Sequence, residues 1–290
     1  MSERKKMTLP GLFKLVADGK PITWLTCYDY PTAYLQDQAG VDMILVGDSL
    51  GMTMLGFDST LPVTMDDMVR HTAAVRRGAP NVWLVGDMPY MTYQPSVETA
   101  IRHAGRFMAE CGCDAVKLEG GVEMADRIAG IARSGIPVIG HLGLTPQSVS
   151  ALGGFKLQGK GAAQAKKIVD DARALEEAGA FCILLELVPD RVCRLITERA
   201  KHCIIMSLGS GPHAHGQLLI YHDAFALYPK FKPRMAKVFA DAGAVIREGL
   251  AGYVKEVTEK TFPAPENWFG MADAEYDELQ RLLKGDAGDR

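Results

Sequence analysis

Short apolar runs with the character of buried β-strands recur eight times along the chain, and helical patterns separate them. The runs are residues 22–28, 42–47, 81–86, 115–119, 136–140, 182–187, 203–208 and 217–221. Between them, apolar residues recur at helical spacing beside charged neighbours, as at Val97, Ile101, Ala104 and Met108. Strands that are apolar throughout and alternate with amphipathic helices indicate a parallel sheet covered by helices. Eight such units favour a (β/α)8 TIM barrel, with an open, doubly wound sheet as the alternative.

The flanks of this repeat predict further helices. Residues 7–19 predict a leading helix, and residues 231–259 predict one or two helices that cover the barrel at its end. We therefore predict a single barrel domain with flanking helices over residues 1–262. Residues 263–290 are acidic and lack a clear core pattern, so we expect much of this tail to be mobile, although residues 275–284 can form a last helical turn or two.

Composition excludes several classes of protein. The 290 residues are 48% hydrophobic and carry a net charge of −3. No apolar run approaches the roughly 18 residues of a membrane span, and the N-terminus lacks the apolar core of a signal peptide. There is no basic stripe, so neither nucleic acid nor a membrane surface is an expected partner. The six cysteines are scattered through predicted strands and helices, and we expect them to be reduced thiols in a cytoplasmic protein.

Polar side chains end or interrupt several of the apolar runs. These side chains are Asp48, Ser49, Asp87, Lys117, Glu119, His141 and Glu186. Taken singly, Asp48, Ser49 and Asp87 are typical of helix N-caps, and Lys117 with Glu119 of a buried ion pair. In a barrel, however, the carboxyl ends of the strands build the active site. So many polar groups at these ends therefore predict that they converge there.

The residue types in this set point to a hard cation. Carboxylates without cysteine or paired histidine ligands favour Mg²⁺. Bound to a 2-oxo acid through its ketone and carboxylate, such an ion would stabilise an enolate, while a lysine and a histidine act on the same oxygen. A carboxylate that is not bound to the metal would serve as the base. Glu186, inside the apolar run "CILLELVP", is the candidate, and the alternative is a glutamate bonded to a neighbouring backbone amide.

Several longer segments carry a family resemblance. They are "TCYDYPTA", "ILVGDSLGMTMLGFDSTLPVTMDDMVRHTAAVRRGAPN", "VKLEGG", "PVIGHLGLTPQSV", "GGFKLQGK" and "HGQLLIYHDAF". With these segments, the chain resembles the ketopantoate hydroxymethyltransferase family from about residue 7 to 262. The resemblance implies a (β/α)8 barrel that transfers the one-carbon unit of 5,10-methylenetetrahydrofolate to 3-methyl-2-oxobutanoate, giving 2-dehydropantoate in pantothenate and coenzyme A biosynthesis. It also implies a homodecamer, built as a pentamer of dimers.

The resemblance further implies a role for each predicted site residue. Asp48 and Asp87 would ligate Mg²⁺, and Glu119 would lie close to the ion, through water. The other residues would contact the 2-oxo acid: Ser49 its carboxylate, Lys117 and His141 its oxygens, and Glu186 the C3 proton.

The chain departs from the family pattern at the seventh strand and the loop after it. Relatives commonly read Ile-Gly-Ile-Gly-[Ala/Ser]-Gly where this chain has Met206-Ser207-Leu208-Gly209-Ser210-Gly211, and His215 replaces a usual Asp. Ser207 adds a side chain where glycine allows close backbone approach. We therefore expect any consequence in the folate pocket or in subunit packing, and not at the metal site.

Two rival interpretations use the same cluster. One is a Mg²⁺-dependent carbon–carbon lyase or mutase of the isocitrate lyase and phosphoenolpyruvate mutase group. Those lyases typically carry a Lys-Cys-Gly-His loop, whereas the sole Gly-His pair here is Gly140-His141. The other is a non-catalytic homologue that binds a 2-oxo acid, and the retention of so many costly buried charges argues against it.

Overall fold

A computed structural model describes residues 4–285 of the chain. It divides into two compact units, Met1–Ala240 and Asp241–Arg290. None of the described helices is both long and apolar enough to cross a membrane.

The first unit is a closed parallel barrel in which each strand pairs with the next and the last pairs with the first. The strands are β1 (Ile22–Thr26), β2 (Met43–Val46), β3 (Trp83–Asp87), β4 (Ala115–Glu119), β5 (Val138–Gly143), β6 (Cys182–Glu186), β7 (Ile204–Leu208) and β8 (Gly216–Leu219). Each overlaps one predicted run, although half of β5 lies beyond the predicted 136–140. The (β/α)8 barrel is confirmed and the open-sheet alternative is wrong.

The helices of the first unit precede the first strand, lie between the strands or follow the last strand. They are α1 (Leu9–Ala17), α2 (Tyr30–Ala39), α3 (Leu50–Thr53), α4 (Met65–Gly78), α5 (Val97–Cys111), α6 (Ala125–Arg133), α7 (Val149–Leu152), α8 (Ala162–Glu177), α9 (Asp190–Arg199) and α10 (Tyr221–Ala224). Local signals set their ends. Helix α4 begins with a capping box between Thr64 and Asp67, and α5 runs from the Ser96 cap to Gly112, which takes the left-handed conformation that favours glycine. The leading helix predicted over 7–19 is α1.

Alternate residues of the strands form two separate cores. Inward-facing side chains such as Trp24, Leu45 and Val85 fill the barrel, together with Leu12 of α1. Outward-facing side chains such as Ile44 and Leu84 pack against the surrounding helices. Because α1 precedes β1, its contribution to the inner core closes the barrel at the amino ends of the strands. All six cysteines are buried free thiols.

The barrel closes at a seam between β1 and β8, where Ile22 is in register with Gly216. A Cβ atom at residue 216 would lie only 2.3 Å from the carbonyl oxygen of Ile22. The two backbones approach so closely that only glycine fits at this point of the seam.

The second unit contains α11 (Ala242–Glu259) and α12 (Asp273–Gly285). Helix α11 buries none of its residues, and its exposed side chains include Val245, Ile246 and Leu250. Helix α12 is longer than the one or two turns expected in the tail; residues 286–290 lie outside the described chain. The predicted boundary at 262 and the mobility of the tail stay predictions.

Helix was predicted from residue 231 onward, and this is wrong for 231–241, which are irregular. Pro233 has no backbone N–H to donate within a helix. Phe231, Pro233, Arg234 and Met235 instead line a cavity at the barrel.

Candidate active site

The candidate site is the uppermost layer of inward-facing side chains in the barrel. In β3, inward-facing Trp83 and Val85 are followed by Asp87, and in β4, Ala115 is followed by Lys117 and then Glu119. Side chains two apart on a strand face the same way, so the apolar inner core continues directly into charged groups at the carboxyl ends. This is the end at which barrel enzymes build their active sites.

Strand register brings the charged groups together. Asp87 is level with Lys117, and Glu119 is level with His141. The Lys117 Nζ atom lies 2.6 Å from Asp87 Oδ1, and His141 Nδ1 lies 3.4 Å from Glu119 Oε1. The other ring nitrogen, His141 Nε2, lies 3.2 Å from Glu186 Oε2. Residues of four consecutive strands thus form one continuous buried cluster.

Asp48 and Ser49 reach the same cavity from the turn after β2. The backbone N–H of Asp48 donates to Asp87 Oδ2 at 3.1 Å. Gly47 keeps the turn compact, because a Cβ there would lie 2.7 Å from Ser49 Oγ. Ser49 stands before α3 but makes no side-chain capping bond; its Oγ lies 2.8 Å from the hydroxyl of Tyr28. Ser49 therefore occupies the N-cap position of α3, but its side chain does not cap the helix. All seven predicted site residues line one cavity of about 650 Å³.

Gln147 was not predicted, although it contacts two of the carboxylates. Its side-chain Nε2 donates to Asp48 Oδ2 at 2.9 Å and to the carbonyl of Met88 at 3.0 Å. Its Oε1 accepts from the hydroxyl of Tyr93 at 2.7 Å, and its backbone N–H donates to Glu119 Oε2 at 3.0 Å. Gln147 therefore fixes the positions of Asp48 and Glu119 together.

Burial and crowding set the charges of the cluster. Burial raises the pKa of Asp48, and the nearby charge of Glu119 raises it further. Burial also raises the pKa of Glu119, to about 7. Burial alone would lower the pKa of Lys117, but the charges of the surrounding carboxylates, Asp87 foremost, outweigh it and raise the pKa. Lys117 is therefore an ammonium ion at neutral pH.

The imidazole of His141 is neutral, because burial and then the charge of Lys117 lower its pKa. A neutral imidazole has one donor and one acceptor nitrogen. The Nδ1 atom lies 3.4 Å from the Lys117 ammonium, which can only donate, so this contact favours the tautomer with the ring proton on Nε2. The Nε2 atom lies 3.2 Å from Glu186 Oε2, but without the geometry of a hydrogen bond. His141 therefore lies between the ammonium group and the predicted base.

The donor set fits a magnesium ion. Asp48, Asp87, Glu119 and Glu186 supply carboxyl oxygens to one cavity, which also holds the ammonium group of Lys117. The Oε1 atom of Glu119 is buried and has no hydrogen-bond partner in the part of the chain that the structure describes. Among residues 4–285, no three His, Cys, Asp or Glu side chains form a ready-made cage for a metal ion. Mg²⁺ does not require one, since it is usually held by one or two carboxylates together with waters and substrate oxygens.

Of the residues that depart from the family pattern, Leu208 lies at the wall of this cavity, whereas Ser207 and His215 do not line it. Ser207 is fully buried; its Oγ donates to the carbonyl of Gly211 at 3.0 Å and accepts from the N–H of Ser210 at 3.1 Å. Leu208 lines the cavity itself. His215 is half-buried, and its Nδ1 accepts a backbone N–H of β7 at 2.9 Å. An effect of these residues on the folate pocket stays a prediction.

Solved structures that resemble this chain show the fold. Phosphonopyruvate hydrolase in complex with oxalate and Mg²⁺ matches with a TM-score of 0.62 at 14% identity, over 96% of this chain and 99% of that one. A 2,3-dimethylmalate lyase of the phosphoenolpyruvate mutase/isocitrate lyase superfamily matches with a TM-score of 0.57 at 16% identity, over 97% and 98%. At such identities the likeness extends to the barrel and not to the reaction.

Fold and site together define a barrel enzyme with a buried acid–base cluster at the carboxyl ends of its strands. The sequence model of the family described as ketopantoate hydroxymethyltransferase matches residues 6–265. A 3-methyl-2-oxobutanoate hydroxymethyltransferase of Thermus thermophilus is 50% identical over 254 residues, which cover 87% of this chain and 96% of the relative. One of Carboxydothermus hydrogenoformans is 48% identical over 267 residues, covering 92% and 96%. The chain belongs to the ketopantoate hydroxymethyltransferase family, and the prediction of a hydroxymethyltransferase enzyme is confirmed.

Proposed function

We propose that this enzyme transfers the one-carbon unit of 5,10-methylenetetrahydrofolate to C3 of 3-methyl-2-oxobutanoate. Water is consumed, and the products are 2-dehydropantoate, a precursor of pantothenate, and tetrahydrofolate. The observation that carries this proposal is the buried chain of contacts from Lys117 through neutral His141 to Glu186, which faces several carboxylates across one cavity. Glu186 could act as the base and Lys117 supplies a positive charge, and the two lie on either side of the His141 ring. This arrangement suits the removal of a proton from the carbon beside a ketone, because the charge stabilises the enolate that forms.

Asp48 and Asp87 would hold Mg²⁺, with Glu119 acting through a water molecule. When bound, the ion would supply Lewis-acid polarisation of the ketone of the 2-oxo acid. The unpartnered Oε1 of Glu119 supports this assignment, because a buried carboxylate oxygen without a donor has an unmet need for positive charge.

The protein's own groups would then carry the proton and orient the acid. Ser49 would hold the substrate carboxylate, and the hydroxyl of Tyr28, 2.8 Å away, fixes the Ser49 side chain. Glu186 would take the C3 proton, and the C–H electron pair would move into the enolate. Lys117 and His141 would offset the negative charge that develops on the ketone oxygen. C3 then forms a bond to the one-carbon unit, and both bonds from that carbon to the folate nitrogens break. Water supplies the hydroxyl oxygen, and the two nitrogens receive one proton from water and the C3 proton taken by Glu186.

The test is exchange of the C3 proton of 3-methyl-2-oxobutanoate with solvent deuterium, followed by NMR in the absence of folate. We expect exchange with Mg²⁺ and none with EDTA, since the first half of the reaction needs no donor. Addition of 5,10-methylenetetrahydrofolate should then yield the hydroxymethylated product. An absence of exchange under both conditions would contradict the proposed substrate or the proposed chemistry.

The homodecamer implied by the family resemblance is also a proposal. It is supported by α11, which buries none of its residues and exposes Tyr253, Val254 and Val257 beside its other apolar side chains. Exposed apolar surface of this extent is typical of protein interfaces. Sedimentation analysis of the purified protein measures the oligomeric state, and a monomer would contradict the proposal.

A further inference from the structure

The cavity is much larger than one 2-oxo acid requires. The eight non-hydrogen atoms of 3-methyl-2-oxobutanoate fill at most roughly 240 Å³, even if each is allowed the ~30 Å³ of a water molecule. The cavity measures about 650 Å³. Its walls outside the charged cluster are mainly apolar or aromatic, and they include Leu208, Leu218, Ile220, Tyr228 and Phe231. We call this part, lined by these residues and by Asp223 and Arg234, the outer chamber.

Asp223 differs from the other carboxyl groups of the cavity. Asp48 contacts an amide, Asp87 an ammonium, Glu119 a backbone N–H and Glu186 an imidazole. Within residues 4–285, the carboxylate of Asp223 has neither a hydrogen bond nor an ion pair. Burial is the sole cause that raises its pKa, to about 6. At neutral pH it is therefore mostly an anion in a half-buried, apolar setting, without a donor to satisfy it.

Asp223 also lies near the place where the 2-oxo acid would bind. The ring of His222, which precedes Asp223 in the chain, has its centroid 5.3 Å from that of the Tyr28 ring. The hydroxyl of Tyr28 contacts Ser49, the residue proposed to hold the substrate carboxylate. A second substrate in the outer chamber would therefore meet Asp223 while its reactive part lies beside the first substrate.

We propose that Asp223 binds the 2-amino-4-oxopyrimidine edge of the folate donor, an inference that rests on the proposed function. That edge presents a ring N–H and an amino N–H side by side, and one carboxylate accepts both as a pair of parallel hydrogen bonds. The apolar and aromatic walls suit the flat ring. Arg234 supplies the opposite charge in the same chamber, where the carboxylates of the glutamate tail can reach it.

The experiment compares the wild type with Asp223→Asn, which keeps the shape but loses one acceptor and the charge. Two ligands are titrated: tetrahydrofolate and its analogue without the 2-amino group. We expect the wild type to prefer tetrahydrofolate about 10- to 100-fold, as for a charged hydrogen bond. In Asp223→Asn, the affinity for tetrahydrofolate should fall by a similar factor and the preference should largely disappear. Folate-independent C3 exchange should stay within about twofold of wild type, because no exchange step uses Asp223.

Asp223→Ser, which removes the carboxylate without adding bulk, is measured in parallel. Asp126→Asn is the matched control, since this carboxylate is exposed on α6 and contacts its neighbour Arg127. If both Asp223 variants bind the two ligands as the wild type does, or if exchange falls in step with folate affinity, the inference is overturned. A wild-type enzyme that exchanges the C3 proton but accepts no folate overturns the proposed donor and this inference with it. If the wild type transfers the one-carbon unit but the Asp223 variants bind both folate ligands as the wild type does, only the role of Asp223 is overturned.

Discussion

Replacement of Gln147 by methionine is the sharpest test of how the carboxylates are positioned. Methionine has a similar volume but cannot donate to Asp48 or accept from Tyr93, whereas the backbone bond to Glu119 remains. The lost bond to Asp48 is 2.9 Å long and charge-assisted, worth about 1.5–3 kcal/mol. Loss of a group that orients a metal ligand typically weakens metal binding about 10- to 100-fold, equal to about 1.4–2.7 kcal/mol. The free energy of the lost hydrogen bond and the expected loss of metal-binding free energy therefore agree.

The assay is the binding of Mn²⁺ by electron paramagnetic resonance, with Mg²⁺ as competitor, and it needs no turnover. Gln36→Met is the matched control, because Gln36 is also a buried glutamine but donates to the carbonyl of Thr26, outside the predicted site residues. We expect Gln147→Met to lose ion affinity and Gln36→Met to keep it. Equal ion affinity in the two variants, with similar losses of thermal stability, would show that Gln147 is only a structural residue and would refute the reasoning.

Three further predictions concern the base, a buried charge and the barrel seam. Glu186→Gln should slow C3 proton exchange by about 100- to 10,000-fold, as for loss of a general base, while binding of the 2-oxo acid with Mg²⁺ persists; wild-type exchange in the variant would refute that role. Because burial raises the pKa of Asp223 from 3.8 to about 6, the folded state favours its protonated form, so the associated stability is present below about pH 4 and lost as the pH rises through 6. Urea titrations should therefore show that the free energy of unfolding of the wild type falls, relative to that of Asp223→Asn, by about 1 kcal/mol between pH 4 and 7. This value is reduced because Asp223 is partly exposed. A difference between the two proteins that does not change with pH would contradict the prediction. Gly216→Ala should destabilise the barrel by about 1–3 kcal/mol or more, because the new Cβ would lie 2.3 Å from the carbonyl oxygen of Ile22. The control is Gly249→Ala in the open surroundings of α11, which should be neutral or stabilising by up to about 1 kcal/mol. Equal denaturation midpoints of the two variants would exclude the predicted clash.

The barrel was predictable because its strands are buried on both faces. A stretch such as 182–185 is apolar at every position, and this pattern does not depend on knowledge of the partner strands. The placement of Lys117 and Glu119 was predictable for a related reason. Two residues apart in a strand, they must face the same way, and the inward side follows from the barrel.

Residues whose contacts depend on the path of a loop were not predictable. Gln147 lies after Thr145-Pro146, and nothing in that spacing reveals that its amide reaches Asp48, far away in the chain. The only signal for Gln147 in the sequence was its position: it is a polar residue shortly after the strand that carries His141. Asp223 likewise resembles any acid in a short helix until the fold shows that it is unpartnered.

The incorrect helix at 231–241 has a different origin. Phe231, Met235 and Phe239 are spaced four residues apart, with lysine and arginine residues among them. This pattern is the same as that of an amphipathic helix. A periodic pattern does not report what each residue contacts. Here Phe231 and Met235 serve as cavity wall, and Pro233 prevents a regular hydrogen-bonded turn.

The seam between β1 and β8 also bears on how the protein is made. It pairs Ile22 with Gly216, and these residues lie near opposite ends of the barrel sequence. This strand pairing is therefore among the least local in the fold, and its formation has a large entropic cost of loop closure. A growing chain cannot close the barrel until β8 has left the ribosome. Until then β1 exposes an unpaired edge, which is a template for association with other chains. Messages that end before the codon for Gly216 should therefore yield aggregating fragments, and not partly active enzymes.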